Sequence, residues 1–279
     1  MPGMSSFDQS TWRLILSPPA DGATNMAIDE AMLEAVSEGS MPSTLRLYAW
    51  EPACLSLGYA QASSEVDAER LTGHGWSIVR RPTGGRAILH IDELTYAIAA
   101  PTSDPRVEGG VLASYRRLSA GLLAGLRQLG LAPEVRDAEP VGDDERADPV
   151  CFEVPSAYEI TVDGLKLVGS AQLRRQGGVL QHGSLPLIGD IGRICTVLDF
   201  PDEATRRLRI ERLRSRAATA EGLLGRPVAW AEAAQAIQAG FSEALGLRFD
   251  QRDLSRDEAR RADQLRQDRY AHPDWTRRS

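Results

Sequence analysis

Apolar positions along this chain recur with two different periods. Strict alternation marks "STLRLYAW" and "ACLSLGY" as strands, and "WSIVRR" and "LTYAIAA" read as strands on either side of the loop "PTGGRAILH". In "AYEITVDGLKLVGSAQ" two alternating runs meet at Asp163-Gly164, a dipeptide suited to a two-residue type I′ turn. That turn pairs Val162 with Leu165 and Thr161 with Lys166, and "GVLQHGSLPL" reads as a third strand. Helical spacing appears elsewhere. Ile28, Met32 and Val36 share one face before Gly39, and Leu112, Tyr115, Leu118, Leu122, Leu126 and Leu129 form a longer stripe stopped at Gly130. Residues 203–217 are Arg-rich and helical. Trp230, Ala234, Ile237, Phe241 and Leu245 predict another helix ending at Gly246. Ser64 with Asp67, and Ser255 with Glu258, have the spacing of capping boxes.

Strands concentrate in the first two-thirds and helices in the last third, which predicts an α+β fold. The expected division is a catalytic domain over residues 1–250 with a helical extension, 251–279, packed on it. Residues 137–149, "DAEPVGDDERADP", are acidic and poor in large apolar groups, and read as a mobile surface loop.

Composition narrows the function classes. At 279 residues and 42% hydrophobic, the chain can bury a substantial core. No run approaches the roughly 18 apolar residues of a membrane helix. The start, "MPGMSSFDQSTWR", lacks the regions of a secretory signal, so the cytoplasm is the expected compartment. A net charge of −7 argues against a nucleic-acid partner. Cys54, Cys151 and Cys195 are scattered, and the four histidines form no paired-ligand pattern, so neither a disulfide framework nor a metal site is expected. Of 32 Lys and Arg residues, a single one, Lys166, is lysine.

Several residues carry candidate chemistry. "RRPTGGR" (80–86) sets arginines beside paired glycines and reads either as an anion cradle or as a plain turn. Cys151, at a loop-to-strand junction, is a better nucleophile candidate than Cys54 or Cys195, although a free cysteine also serves as a small buried apolar residue. Cys151 lies ten residues before Thr161, on the order of 33 Å in an extended chain, so spacing alone does not bring its thiol to Lys166. His90 and His182 are candidates for acid/base work or for hydrogen-bonded structural roles. The arginines at 206, 207, 209, 212, 214 and 216 form a solvated face or a docking surface for an acidic partner.

Together, "RRPTGGRAILH", "CFEVPSAYEI" and "KLVGSAQLRRQGGVLQHGS" resemble the lipoate-ligase and biotin-ligase superfamily in order and spacing, closest to its LipM-type octanoyltransferase branch. The similarity runs from "TWRLILS" to the terminal "RYAHPDW". It implies an α+β catalytic domain of mixed sheets surrounded by helices, with a fatty-acyl tunnel beside the Gly-Gly loop. It implies an acyltransferase that moves octanoyl from acyl carrier protein to a lysine of lipoyl domains, such as the glycine cleavage H protein, in lipoate biosynthesis. Cys151 corresponds to the thioester-forming nucleophile and Lys166 to its neighbouring lysine. Arg80, Thr83, Gly84, Gly85, His90, Gly169, Ala171 and His182 are the implied substrate-binding residues.

No cofactor is implied, because a thioester donor already carries the activation. An ammonium near a thiol favours the thiolate, and the same amine, once deprotonated, can take a proton from the incoming lysine, which arginine cannot. The competing readings are an amidotransferase between lipoyl domains, an ATP-dependent lipoate-protein ligase, and a non-catalytic module that binds acyl carrier or lipoyl domains.

Overall fold

A computed structural model describes residues 7–136 and 159–278. Cys151 and the acidic stretch 137–149 lie outside the described residues. Eleven strands are described: β1 (Ser10–Leu16), β2 (Thr44–Tyr48), β3 (Cys54–Leu57), β4 (Ser77–Arg80), β5 (Ile88–His90), β6 (Glu93–Pro101), β7 (Glu134–Arg136), β8 (Glu159–Val162), β9 (Leu165–Arg175), β10 (Gly178–Pro186) and β11 (Leu247–Gln251). They form an eight-stranded mixed sheet of order β11-β1-β2-β6-β10-β9-β8-β7 and a small sheet of order β4-β3-β5. The helices are α1 (Gly22–Ser37), α2 (Ala68–Gly73), α3 (Val111–Gln128), α4 (Glu203–Arg216), α5 (Ala220–Leu224), α6 (Trp230–Leu245), α7 (Arg256–Leu265) and α8 (Pro273–Arg277). The fold is α+β.

The large sheet is buried on both faces. Leu47, Tyr96 and Ile98 face Leu118, Leu122 and Leu126 of α3 and Ile237 and Phe241 of α6. Their chain neighbours Tyr48 and Ala97 face the other way, with Leu180, onto Met26, Ala27 and Ala31 of α1. Two-sided burial explains why β6 is an almost continuous apolar run. It also hides β1 from a period-two reading. Trp12, Arg13, Leu14 and Ile15 are all buried, and the Arg13 guanidinium is taken up by Glu258 of α7 at 2.5 and 2.7 Å.

The hairpin forms in the expected register, Val162 opposite Leu165 and Thr161 opposite Lys166, with Asp163 and Gly164 both at positive φ. A bulge follows, so that Ile160 faces Val168. The capping box Ser255/Glu258 is present. The other expected box is replaced: α2 starts at Ala68, and its cap is Asp67, whose carboxylate accepts from the Arg70 backbone N–H. Ser64 instead lies in a short 3₁₀ turn.

The C-terminal residues wrap back over the body. β11 pairs in parallel with β1, and α7 packs on α1. Glu30 of α1 is 1% exposed and receives Arg175, Arg269 and the Tyr270 hydroxyl.

Candidate active site

The Gly-Gly loop bridges β4 and β5 and is bolted to the end of β3. Backbone bonds run from Arg81 N to Leu57 O (3.0 Å) and from Tyr59 N to Thr83 O (2.9 Å). Gly58 packs directly on the Gly85 carbonyl; a Cβ on Gly58 would lie 1.8 Å from that oxygen. Arg81 braces the loop from inside, donating to the carbonyls of Gly84 (3.0 Å), Arg86 (2.7 Å) and Ser56 (2.9 Å).

Arg80, one of the expected substrate-binding residues, is placed against the C-terminal turn. Its buried guanidinium donates to the carbonyls of Gly58 (2.8 Å), Gln61 (2.5 Å), Thr276 (2.9 Å) and Arg278 (2.8 Å), fastening the C-terminal turn to the loop after β3. Arg80 and Arg81, two of the three arginines in the motif that suggested an anion cradle, therefore donate to backbone carbonyls. Arg81, which the motif comparison passed over, is the one beside the cavity.

Two histidines face that cavity, each between a carboxylate and a hydroxyl. His182 on β10 has Nδ1 3.1 Å from Asp29 Oδ2 and Nε2 2.7 Å from Thr83 Oγ1. His90 on β5 has Nδ1 2.8 Å from Glu93 Oε1 and Nε2 2.7 Å from Ser56 Oγ. A carboxylate accepts, so each Nδ1 carries a hydrogen, and His182, whose neutral form is favoured by burial, accepts at Nε2 from the Thr83 hydroxyl. Burial pushes His182 below the usual histidine range, a shift that the Asp29 carboxylate only partly offsets. Burial works against ionised Asp29 too, but the His182 hydrogen bond and the Arg46 charge more than compensate and leave it below the usual range. Arg46 Nη1 lies 2.8 Å from Asp29 Oδ1, and the Tyr48 hydroxyl donates to Oδ2 at 2.8 Å. Trp50 stacks on the His90 ring at 3.9 Å.

With their nitrogens committed outward, the imidazoles present carbon faces to the enclosed space. Met26, Tyr48, Trp50, Ile88, Gly169 and Ala171 complete much of its wall. The cavity measures about 30 Å³, room for one or two waters. An octyl chain is several times larger and enters only if side chains part. Gly85 also borders an outer hollow of about 650 Å³ with Gly84, Tyr59, Arg86 and Trp275. On the far side, Trp50 and Glu93 border an apolar hollow of about 540 Å³ lined by Leu187, Ile188, Val228 and Trp230.

Of the expected site residues, His90, His182, Gly85, Gly169 and Ala171 meet at this cavity, Thr83 stands behind His182, and Gly84 faces the outer hollow. Lys166 lies three residues back along β9 from Gly169 and is 4% exposed. Its ammonium donates to Glu159 Oε1 at 2.7 Å, and its carbonyl accepts from Ala218 N just past α4. Cys54 and Cys195 are wholly buried, and burial pushes the Cys54 thiol up to about 12. Among the described residues no group of three or more His, Cys, Asp or Glu could hold a metal. No described helix is long and apolar enough to cross a membrane.

Asp29, Glu93 and Ser184 at this centre carried no signal in the sequence. Asp29 sits within an ordinary helical pattern, and Glu93 begins a buried strand, where its oxygens are met by His90, Thr95 and Ser184.

Residues 21–242 match the family described as lipoyl protein ligase A/B catalytic domain. The chain is 43% identical over 272 residues to an octanoyltransferase LipM from Kyrpidia tusciae, covering 96% of this chain and 99% of that one. It is 40% identical over 276 residues to the octanoyltransferase LipM of Symbiobacterium thermophilum, covering 97% and 99%. Among solved structures, the bipartite lipoate protein ligase of Thermoplasma acidophilum superposes with a TM-score of 0.79 at 24% identity, covering 96% of this chain and 97% of that one. A lipoate-protein ligase A bound with ATP superposes with a TM-score of 0.78 at 25% identity, covering 96% and 99%.

Proposed function

The chain belongs to the lipoyl protein ligase A/B catalytic domain family, and from that premise we propose that it is an octanoyltransferase of lipoate biosynthesis that works through a thioester on Cys151. The donor is an octanoyl-acyl carrier protein. The acceptor is a lysine of a lipoyl domain such as that of the glycine cleavage H protein. The observation that carries this reading is the near-full-length similarity to octanoyltransferases.

In the first half-reaction the Cys151 thiolate attacks the donor thioester carbonyl. A C–S bond forms, the carrier's C–S bond breaks, and the carrier leaves as a thiolate that takes its proton from the Lys166 ammonium, which becomes the free amine. In the second, the acceptor lysine amine attacks the acyl-enzyme. An amide forms, Cys151 leaves as thiolate, and the amine's surplus proton passes to the Lys166 amine. Two features support this chemistry. The cavity beside the Gly-Gly loop is walled mainly by apolar and aromatic groups, with Arg81 at its edge, and suits an alkyl chain. Lys166 is buried and held by Glu159, so its amine is fixed in position.

Incubation with octanoyl-acyl carrier protein, without ATP or added metal, tests the reading by intact mass and peptide mapping. The expected product is one octanoyl adduct on Cys151, absent from Cys151→Ala and discharged by a lipoyl domain. An adduct on Cys54 or Cys195 would overturn the assignment of the nucleophile. Strict ATP dependence, or an octanoyl-adenylate, would place the protein with the ligases.

A further inference from the structure

The two half-reactions differ in proton balance. In the first, the carrier thiolate gains the proton that the Lys166 ammonium gives, so nothing leaves the site. In the second, the acceptor lysine arrives as an ammonium at neutral pH. It must lose one proton before its nitrogen can attack and another as the amide forms. One of the two restores the Lys166 ammonium. The other has to reach water, although Lys166 is only 4% exposed.

Glu159 stands on the way out. It opens β8, two residues before Thr161, and so shares a face of that strand with it. Thr161 is the cross-strand partner of Lys166, which sets the Glu159 carboxylate diagonally across from the amine. Lys166 Nζ donates to Glu159 Oε1 at 2.7 Å, and the Glu159 side chain is 15% exposed against 4% for that of Lys166. Ile160, Val162 and Leu167, which flank Thr161 and Lys166 along the two strands, are buried apolar groups that carry no proton. The carboxylate thus joins a buried amine to the solvent. The transfer is also fast enough. Free lysine and free glutamate differ by about six pK units, so even across that full gap a proton would pass on the order of 10⁶ times per second. Typical turnover is on the order of 10 per second.

We propose that Glu159 is the proton outlet of the second half-reaction, a positioning residue that acts through Lys166 rather than on a substrate. The Lys166 amine takes the first proton from the acceptor ammonium and passes it to Glu159 Oε1, and the carboxyl group releases it to water. The acceptor amine then attacks the acyl-enzyme carbonyl and Cys151 leaves as thiolate. Lys166 takes the second proton and is an ammonium again. This rests on the octanoyltransferase reading above.

The test separates the half-reactions on the full chain. Glu159→Gln keeps an oxygen that accepts from Lys166 but cannot carry a proton. Its acyl-enzyme formation from octanoyl-acyl carrier protein, followed by intact mass, should stay within about threefold of wild type. Discharge of the isolated acyl-enzyme by a lipoyl domain should slow on the order of tenfold or more. Glu159→Ala should show the same split, and formate in the buffer should restore its discharge several-fold, because a small carboxylate fills the gap and carries the proton. Glu159→Gln leaves no gap and should not respond to formate. Discharge at the wild-type rate in Glu159→Gln would overturn the outlet while leaving the transferase intact. Equal slowing of both half-reactions, with no rescue by formate, would also overturn it, by reducing Glu159 to a strut for Lys166. If wild type forms no acyl-enzyme, the transferase reading fails first and takes this one with it.

Discussion

At the scale of single residues, the question is why a chain rich in arginine keeps one lysine, Lys166. Arginines serve here in very different settings, from the buried pair with Asp29 to the carbonyl cluster around Arg80. Positive charge alone is therefore no reason for a lysine. Lys166 is confined between Glu159 and the end of α4, and its compact ammonium fits where a planar guanidinium would need several fixed partners. If the amine carries a proton in the second half-reaction, Lys166→Arg should lower octanoyl transfer on the order of a hundredfold, with the fold retained. If that ammonium also stands beside Cys151, Lys166→Ala should slow iodoacetamide alkylation of Cys151 at neutral pH. Cys54, with its thiol pushed up to about 12, should stay unlabelled in the native protein. A fully active Lys166→Arg enzyme would reduce the lone lysine to an accident of composition.

At the scale of elements, the Gly-Gly loop takes its shape from β3. A Cβ at Gly58 would overlap the Gly85 carbonyl, so Gly58→Ala must push the loop off β3. The expected cost is about 1–3 kcal/mol of stability, read as a fall in Tm, together with a loss of kcat/KM as Thr83 and Gly85 move. Gly84 provides the contrast. A Cβ there meets nothing within 4 Å, so Gly84→Ala should leave Tm nearly unchanged. A loss of activity in Gly84→Ala would then report a substrate passing over the loop. The same loop shows what sequence reading can reach. The Asp163-Gly164 hairpin and its register were legible because every determinant lies within a few neighbouring residues. The meeting of His182 with Thr83 and Asp29 was not, because these groups come from three separate elements and no local period encodes their approach. β1 was equally opaque, since its buried Arg13 is matched by a glutamate 245 residues away. Motif resemblance named the residues that meet at the cavity together with Arg80, whose guanidinium bonds the C-terminal turn, and it did not single out Arg81, which borders the cavity.

At the scale of the whole molecule, the groups that shape the cavity also hold the layers together. Asp29 on α1 links Arg46 and Tyr48 of β2 to His182 of β10, and through His182 to the Gly-Gly loop of the small sheet. Stability should therefore report the protonation of the site. Burial holds folded His182 below the ordinary histidine value, so over that interval the unfolded chain binds more protons than the native one. Its contribution is fully present above about pH 6.5 and is lost as the pH falls from there toward the folded value. Asp29, Glu30 and Glu258 are lowered as well, which for a carboxylate favours the charged form: burial disfavours their charge, but hydrogen bonds and arginines more than offset it. Their stabilisation is present above the ordinary carboxylate range and is lost only as the pH drops through their lowered values. Thermal unfolding from pH 8 to pH 3 should thus show two separate declines, one beginning near pH 6.5 and a steeper one below about pH 4. His182→Gln should abolish the first slope and keep the second, whatever its effect on Tm at pH 8. If His182→Gln keeps the upper slope unchanged, then His182 is not its source, and the neutral imidazole wall assigned to the cavity loses its support.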